Sequence, residues 1–146
     1  MGVDFGFEKE MEFMINEKGL SENIIIIKKP SRQEIFAAYK ECLFLVLPSR
    51  WELSPLTPLE GFAFKKTVIS TTAHGIPHTL THDKNSILVD PENYEQLSSE
   101  MENLLKNKDL RDNLAQNGFN LVQNECNSEK MAEKVFKAYE STISEK

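Results

Sequence analysis

Two glutamates, Glu52 and Glu60, stand eight positions apart in "WELSPLTPLE" at residues 51–60, with Pro55 and Pro58 between them. Ionised carboxylates only accept hydrogen bonds, so such a pair at the edge of a pocket suits the hydroxyls that a ribose or a sugar offers. Pro58 fits the first helical position with Thr57 as N-cap, and Ser54 as cap with Pro55 first is the other start. Either start turns backbone N–H groups and the positive end of a helix toward the ligand, which favours an anion and above all a phosphate. Glu52 then lies in the loop before the helix and Glu60 about one turn inside it. "TPLE" also has the form of a capping box, in which Glu60 bonds back to the Thr57 backbone. Glu52 can equally be a solvated loop carboxylate. Spacing alone leaves these readings open.

A second group invites a metal reading. His74, His78 and His82 recur at four-residue intervals in "HGIPHTLTH". Gly75 and Pro77 interrupt any helix reaching back to His74, and no carboxylate follows at H-E-x-x-H spacing, so the metal reading is not adopted. His78 and His82 are read as surface residues. Cys42 and Cys126 lie far apart without C-x-x-C spacing and read as free thiols of a reducing compartment, Cys42 buried beside the apolar run that follows it. No Ser-His-Asp arrangement, P-loop or G-x-G-x-x-G fingerprint occurs.

The elements that must position these groups follow from composition and periodicity. The 146 residues, 40% hydrophobic and 27% charged, suffice for one domain with its own core. A net charge of −6 argues against a nucleic-acid platform, and Lys28-Lys29 and Lys65-Lys66 are too small a basic patch to reverse that. The first twenty residues, rich in Glu and Lys, do not resemble a signal peptide, and the longest apolar run falls far short of the ~20 residues that span a bilayer. The expectation is a cytoplasmic protein.

Apolar positions at Phe7, Met11, Met14 and Ile15 predict a helix from Phe7 to Lys18, stopped by Gly19. "NIIIIKKP" predicts a buried strand of a parallel sheet. "SRQE" at 31–34 is a capping box with Ser31 as N-cap, opening a helix to about Lys40. "LFLVLP" predicts a second fully buried strand. A helix from about Pro58 to Phe64, a strand at "TVIS", a turn at "HGIP" and a strand at "ILV" follow. From Tyr94 onward the pattern is helical, broken at Asn107, Gly118 and "NECNSEK". Its stripes Leu97/Met101/Leu104/Leu105, Leu110/Leu114 and Met131/Val135/Phe136/Tyr139 are expected to face the core. The order is α/β: a Rossmann-like parallel sheet with helices on both faces and extra C-terminal helices. In such a sheet, ligands bind beyond the carboxyl ends of the strands, where Ser49 to Thr57 would sit.

The stretch "LFLVLPSRWELSPLTPLEGFAFKKTVISTTAHGIPHTLTHDKNSILVDPENYEQL" resembles the nucleotide-binding half of retaining GT-B glycosyltransferases of the glycosyltransferase group 1 type. The matching motifs are Glu52 and Glu60 with seven residues between, "KKTVIS", "HGIP" and "KNSILV". "IIIIKKPSRQEIFAAYKEC" resembles the strand and helix before them, and "LLKNKDLRDNLAQNG" the helices after.

The resemblance implies that Glu60 binds the ribose hydroxyls of a nucleotide-sugar donor and that Glu52 contacts the donor sugar near the reaction centre. It implies that backbone amides of Ser54, Leu56 and Thr57 face the sugar and diphosphate, with Lys28 and Lys29 near the base. His74 and Gly75 would line the sugar site. The reaction implied is transfer with retention, needing no metal and no cofactor. Where the family usually reads Gly-Phe-Gly-Leu-Pro, this chain has Leu53, Ser54, Pro55, Leu56 and Thr57, and Pro55 offers no N–H. The chain enters almost directly into a helix and shows no Gly-Arg…Lys pair upstream. The expectation is therefore a donor domain lacking its first strand and its acceptor domain, inactive alone. The acceptor, a glycan or lipid, would be bound by the missing domain, with no transmembrane segment and with room for peripheral membrane contact in the whole protein. The other reading is a degenerate GT-B domain that serves as a non-catalytic binding or regulatory module.

Overall fold

Among the described residues, three strands run parallel in the order β1-β2-β3, with β1 at Phe44–Leu47, β2 at Thr67–Thr71 and β3 at Ile87–Val89. The structure is a computed structural model that describes residues 6–144. The expected missing first strand bears on residues 1–5, outside the described residues. The chain divides into two compact units, Met1–Glu41 and Cys42–Lys146.

The first unit holds α1 (Glu8–Glu17) and α2 (Arg32–Glu41). α1 begins and ends as expected, with Phe7 at its N-cap and Gly19 just beyond at φ 65°. The Ser31 capping box forms in full. The Ser31 amide and hydroxyl both donate to Glu34 Oε2 at 2.8 and 2.7 Å, and the Glu34 amide donates back to Ser31 Oγ at 3.3 Å. Those two bonds hold the Glu34 carboxyl below the ordinary carboxylate range. The expected buried strand at "NIIIIKKP" does not extend through its isoleucines: Ile24 to Ile27 form no strand, Lys28 makes a single β-bridge, and Ile25 is 85% exposed. A β-branched run becomes a strand only where partner strands offer their ladders, which local sequence does not encode.

In the second unit the sheet alternates its side chains between two apolar clusters. Val68 and Leu88 point to one face, where Phe62 and Ile76 meet them together with half-buried Leu45, Leu121 and Val122. Ile69, Ile87 and Val89 point to the other, against Leu104 and Leu114, with Phe44, Leu97 and Met101 packed around them. The helices responsible are α3 (Thr57–Ala63), α4 (Tyr94–Lys106) and α5 (Lys108–Asn124). Helices thus cover both faces of the sheet, as the sequence pattern predicts. β2 and β3 are buried along their whole length, whereas β1, expected to be fully buried, is only half-buried.

Asn107 breaks the helical stretch as expected and caps α5, its side chain accepting from the Leu110 amide. Gly118 does not break α5. It is buried there, and a Cβ on it would stand 2.3 Å from the Phe62 ring, so this glycine serves the close packing of α3 on α5. The third stripe also departs from expectation. On α6 (Ser128–Ser144), Met131, Val135, Phe136 and Tyr139 are 45–67% exposed rather than facing the core. Periodicity shows that a helix has an apolar face but not what covers it. Cys42 is half-buried rather than buried, and its desolvation still raises the thiol above the ordinary range.

Candidate functional site

The carboxyl ends of all three strands lead into loops that are tied to one another. Thr71, the last residue of β2, is buried and donates its hydroxyl to the Ser49 carbonyl at 2.6 Å. Ser70 does the same to Leu47 at 3.0 Å, so the hydroxyls of β2 hold the exit of β1. The amide of Thr72 donates to the Val89 carbonyl at 2.9 Å, extending the register of β2 on β3. Across the rim Arg50 pairs with Glu92 at 3.0 Å, an exposed contact of small energetic weight.

Glu52 sits inside this framework. Its side chain is half-buried, and one carboxylate oxygen accepts from Ser49 Oγ at 3.3 Å. Its main-chain carbonyl accepts from the Gly75 amide at 2.9 Å. Glycine is required at 75 by proximity rather than by dihedral angle: a Cβ there would lie 1.6 Å from the Leu53 carbonyl oxygen, while φ is −79°. His74, just before it, adopts φ 42°, a left-handed conformation uncommon for a side-chain-bearing residue and typical of functional loops. Its ring lies 6.1 Å from that of Trp51, tilted by 57°. The structure therefore brings Glu52, His74 and Gly75 together.

Glu60 lies one turn into α3 and is half-buried. The helix begins one residue earlier than Thr57 as cap would require: Leu56 is the N-cap, Glu60 N donates to the Leu56 carbonyl at 2.9 Å, and no side-chain cap forms. Neither Thr57 nor the alternative Ser54 stands at the N-cap of α3. Where the tethered loop releases the chain decides the first helical turn. Ser54 and Leu56 are exposed in the loop, Thr57 is exposed in the first turn, and Pro58 is buried behind it. Lys29, with φ 48°, belongs to the first unit. Its neighbour Lys28 pairs with Glu8 and with Glu12, which raises its pKa.

The three histidines serve separate ends. His78 is exposed in a short 3-10 turn at Ile76–His78. His82 is exposed as expected, yet its Nδ1 accepts from the Leu88 amide at 3.0 Å and so anchors β3. Among the described residues no group of three or more His, Cys, Asp or Glu side chains is placed to hold a metal ion. Among them, too, no helix is long and apolar enough to cross a membrane.

Sequence reasoning missed Trp51 and Ser49. Trp51 stands 62% exposed beside Glu52, and a large exposed aromatic in a tethered loop was the available signal.

A parallel sheet covered on both faces, with its interlocked loops at the carboxyl edge, is the Rossmann-like half of a GT-B fold. The family described as "Glycosyl transferases group 1" matches residues 3–121, and the chain belongs to that family. It is 30% identical over 124 residues to an uncharacterized glycosyltransferase of Methanocaldococcus jannaschii, covering 80% of this chain and 35% of that protein. It is 24% identical over 108 residues to an alpha-D-kanosaminyltransferase of Streptomyces kanamyceticus, covering 74% and 28%. The crystallised C-terminal domain of the group 1 glycosyl transferase LpcC from Francisella tularensis superposes with a TM-score of 0.76 at 32% identity, over 86% of this chain and 65% of that one. Anabaena HepE, crystallised with UDP-glucose, shares the fold with a TM-score of 0.85 at 17% identity, over 94% of this chain and 38% of that one. The chain thus spans about a third of the length of the two enzymes it matches in sequence.

Proposed function

We propose that this chain is the donor-binding half of a retaining, metal-independent glycosyltransferase that moves a sugar from a nucleoside-diphosphate sugar to an acceptor glycan or lipid. The observation that carries the proposal is the clasp of Gly75 on the Glu52 backbone, which holds a carboxylate at the carboxyl edge of the sheet. That edge is where an open α/β sheet binds its ligand. Family membership supports the same reading, as does the relationship in fold to a protein crystallised with UDP-glucose.

In this reading Glu52 contacts the donor sugar beside the carbon that changes partners. Glu60, one turn into α3, accepts hydrogen bonds from the ribose hydroxyls. Backbone amides of Ser54, Leu56 and Thr57 face the sugar and the diphosphate, where fixed dipoles stabilise the charge that develops as the diphosphate leaves. His74 and Gly75 close the sugar side. The acceptor is bound by a further domain of a longer protein acting in the cytoplasm, and this chain alone binds nucleotide weakly and transfers nothing. Retention and metal independence rest on the likeness of the Glu52–Glu60 motif to the family pattern. Transfer that persists in a chelator supports the latter.

The test is ligand-observed NMR of the purified chain with UDP, GDP and ADP, repeated on Glu60→Gln. Selective binding of one nucleotide, weakened by the substitution, is expected and names the base. Equal binding by the wild type and Glu60→Gln refutes the ribose contact.

A further inference from the structure

We infer that Trp51 is the stacking platform for the transferred sugar of the donor, steadied by the His74 ring that packs beside it. This rests on the donor-site reading above and adds to it a residue that selects for the sugar rather than for the nucleotide.

Three observations converge. Trp51 directly precedes Glu52, the carboxylate assigned to the sugar, and lies well ahead of Glu60, assigned to the ribose. The residue is 62% exposed although the loop carrying it is tethered on both sides, by Thr71 to Ser49 and by Gly75 to Glu52. The ring is therefore presented by an ordered backbone. The His74 ring packs against the indole with centroids 6.1 Å apart at 57°, a tilted aromatic contact that steadies it, and His74 is held at φ 42° between buried Ala73 and the clasped Gly75.

The chemistry of the exposed indole face fits a pyranose. One face of a sugar ring is lined by C–H groups carrying small positive charge, and the indole face carries the negative lobe of its quadrupole. The hydroxyls around the sugar's edge need donors and acceptors, which the His74 imidazole and the Glu52 carboxylate provide. A ligand without the sugar leaves the indole uncovered. Trp51 thus adds affinity for the sugar nucleotide over the bare nucleoside diphosphate.

Trp51 is the sole tryptophan of the chain, so intrinsic tryptophan fluorescence reports this ring alone. The experiment titrates the chain with UDP, UDP-glucose, GDP and GDP-mannose by fluorescence, and by calorimetry in wild type, Trp51→Phe and Trp51→Ala. The sugar nucleotide is expected to change the emission more than its partner lacking the sugar. Trp51→Ala should weaken the sugar nucleotide roughly tenfold, the scale of one stacked ring, while the nucleoside diphosphate stays within about twofold. Trp51→Phe should retain most of the preference. If Trp51→Ala binds sugar nucleotide as well as wild type, the inference falls and the donor-site reading stands. Equal losses for UDP and UDP-glucose also overturn it, since the ring would then serve the loop or the base. Failure of the wild type to bind any of the four probes, or ADP and ADP-glucose in the same titration, takes down the donor-site reading, and this inference with it.

Discussion

The amide of Gly75 donates a 2.9 Å hydrogen bond to the main-chain carbonyl of Glu52. One loop of the candidate site therefore sets the backbone of the other. The carboxylate that begins the sequence motif is oriented by a residue from the loop after the next strand, and the approach is so close that only glycine fits.

Gly75→Ala tests that relationship. The added Cβ meets backbone, the Leu53 carbonyl oxygen at 1.6 Å, which cannot swing aside as a flexible side chain can. We expect a destabilisation of about 1–3 kcal/mol together with loss of sugar-nucleotide binding. Urea unfolding gives the first quantity and calorimetry the second. An unchanged unfolding midpoint would contradict the packing described.

Thr71→Val keeps the shape of the buried β2 side chain and removes the hydroxyl that holds Ser49. The Ser49 carbonyl loses that donor, so a cost of about 1–2 kcal/mol is expected. Nucleotide-sugar affinity should fall in parallel. A variant as stable as the wild type would show that the loop is not held from β2.

The two glutamates should separate kinetically in a full-length enzyme carrying this domain. Glu52→Gln is expected to lower kcat by about a hundredfold with little change in KM, as for a group that acts at the reacting centre. Glu60→Gln should instead raise KM for the donor by roughly tenfold, as for a contact present in ground and transition states alike. The reverse pattern would exchange their roles.

Gly118→Ala probes the packing of α3 on α5. The new methyl meets the Phe62 ring at 2.3 Å in a fully buried position, so overpacking of about 1–3 kcal/mol is expected. Thermal or urea melts measure it. A gain in stability, which helix propensity alone would favour, would mean that Phe62 moves freely.

Acid should act on α6 through Glu133. Hydrogen bonds from Lys130 and then Lys137, with their charges, hold its carboxyl at about 2, well below the ordinary 4.5. Its contribution to α6 is thus complete above about pH 4.5 and is lost as the pH falls toward 2. NMR titration of the side-chain carboxyl should report the low value in the wild type and a shift toward the ordinary one in Lys130→Ala. An ordinary value in the wild type would remove the ion pairs from solution.

Local signals read correctly where their physics is local. The Ser31–Glu34 box needs only residues three apart, and it forms with both halves in place. Asn107 breaks the helical stretch as expected, and the cap it then forms on α5 also spans only three residues. The strands β2 and β3 were legible because short apolar runs bounded by turn residues leave few alternatives. Gly118 misled because glycine is permissive of a break without requiring one, and here the neighbour that needs its missing side chain is Phe62 on another helix. Thr57 misled because two plausible caps, Ser54 and Thr57, stand three residues apart, and the helix starts at a position that neither propensity selects.

By itself the sequence determined the α/β class, the helix termini with side-chain caps and the pair of carboxylates at motif spacing. Each rests on periodicity or on contacts a few residues apart. Only the tertiary structure decided that Ile24 to Ile27 form no strand, that the apolar stripe of α6 faces outward, and that Trp51 and His74 flank Glu52. Strand pairing, burial and loop docking depend on partners distant in the chain. Their energies come from contacts that no local window of residues contains.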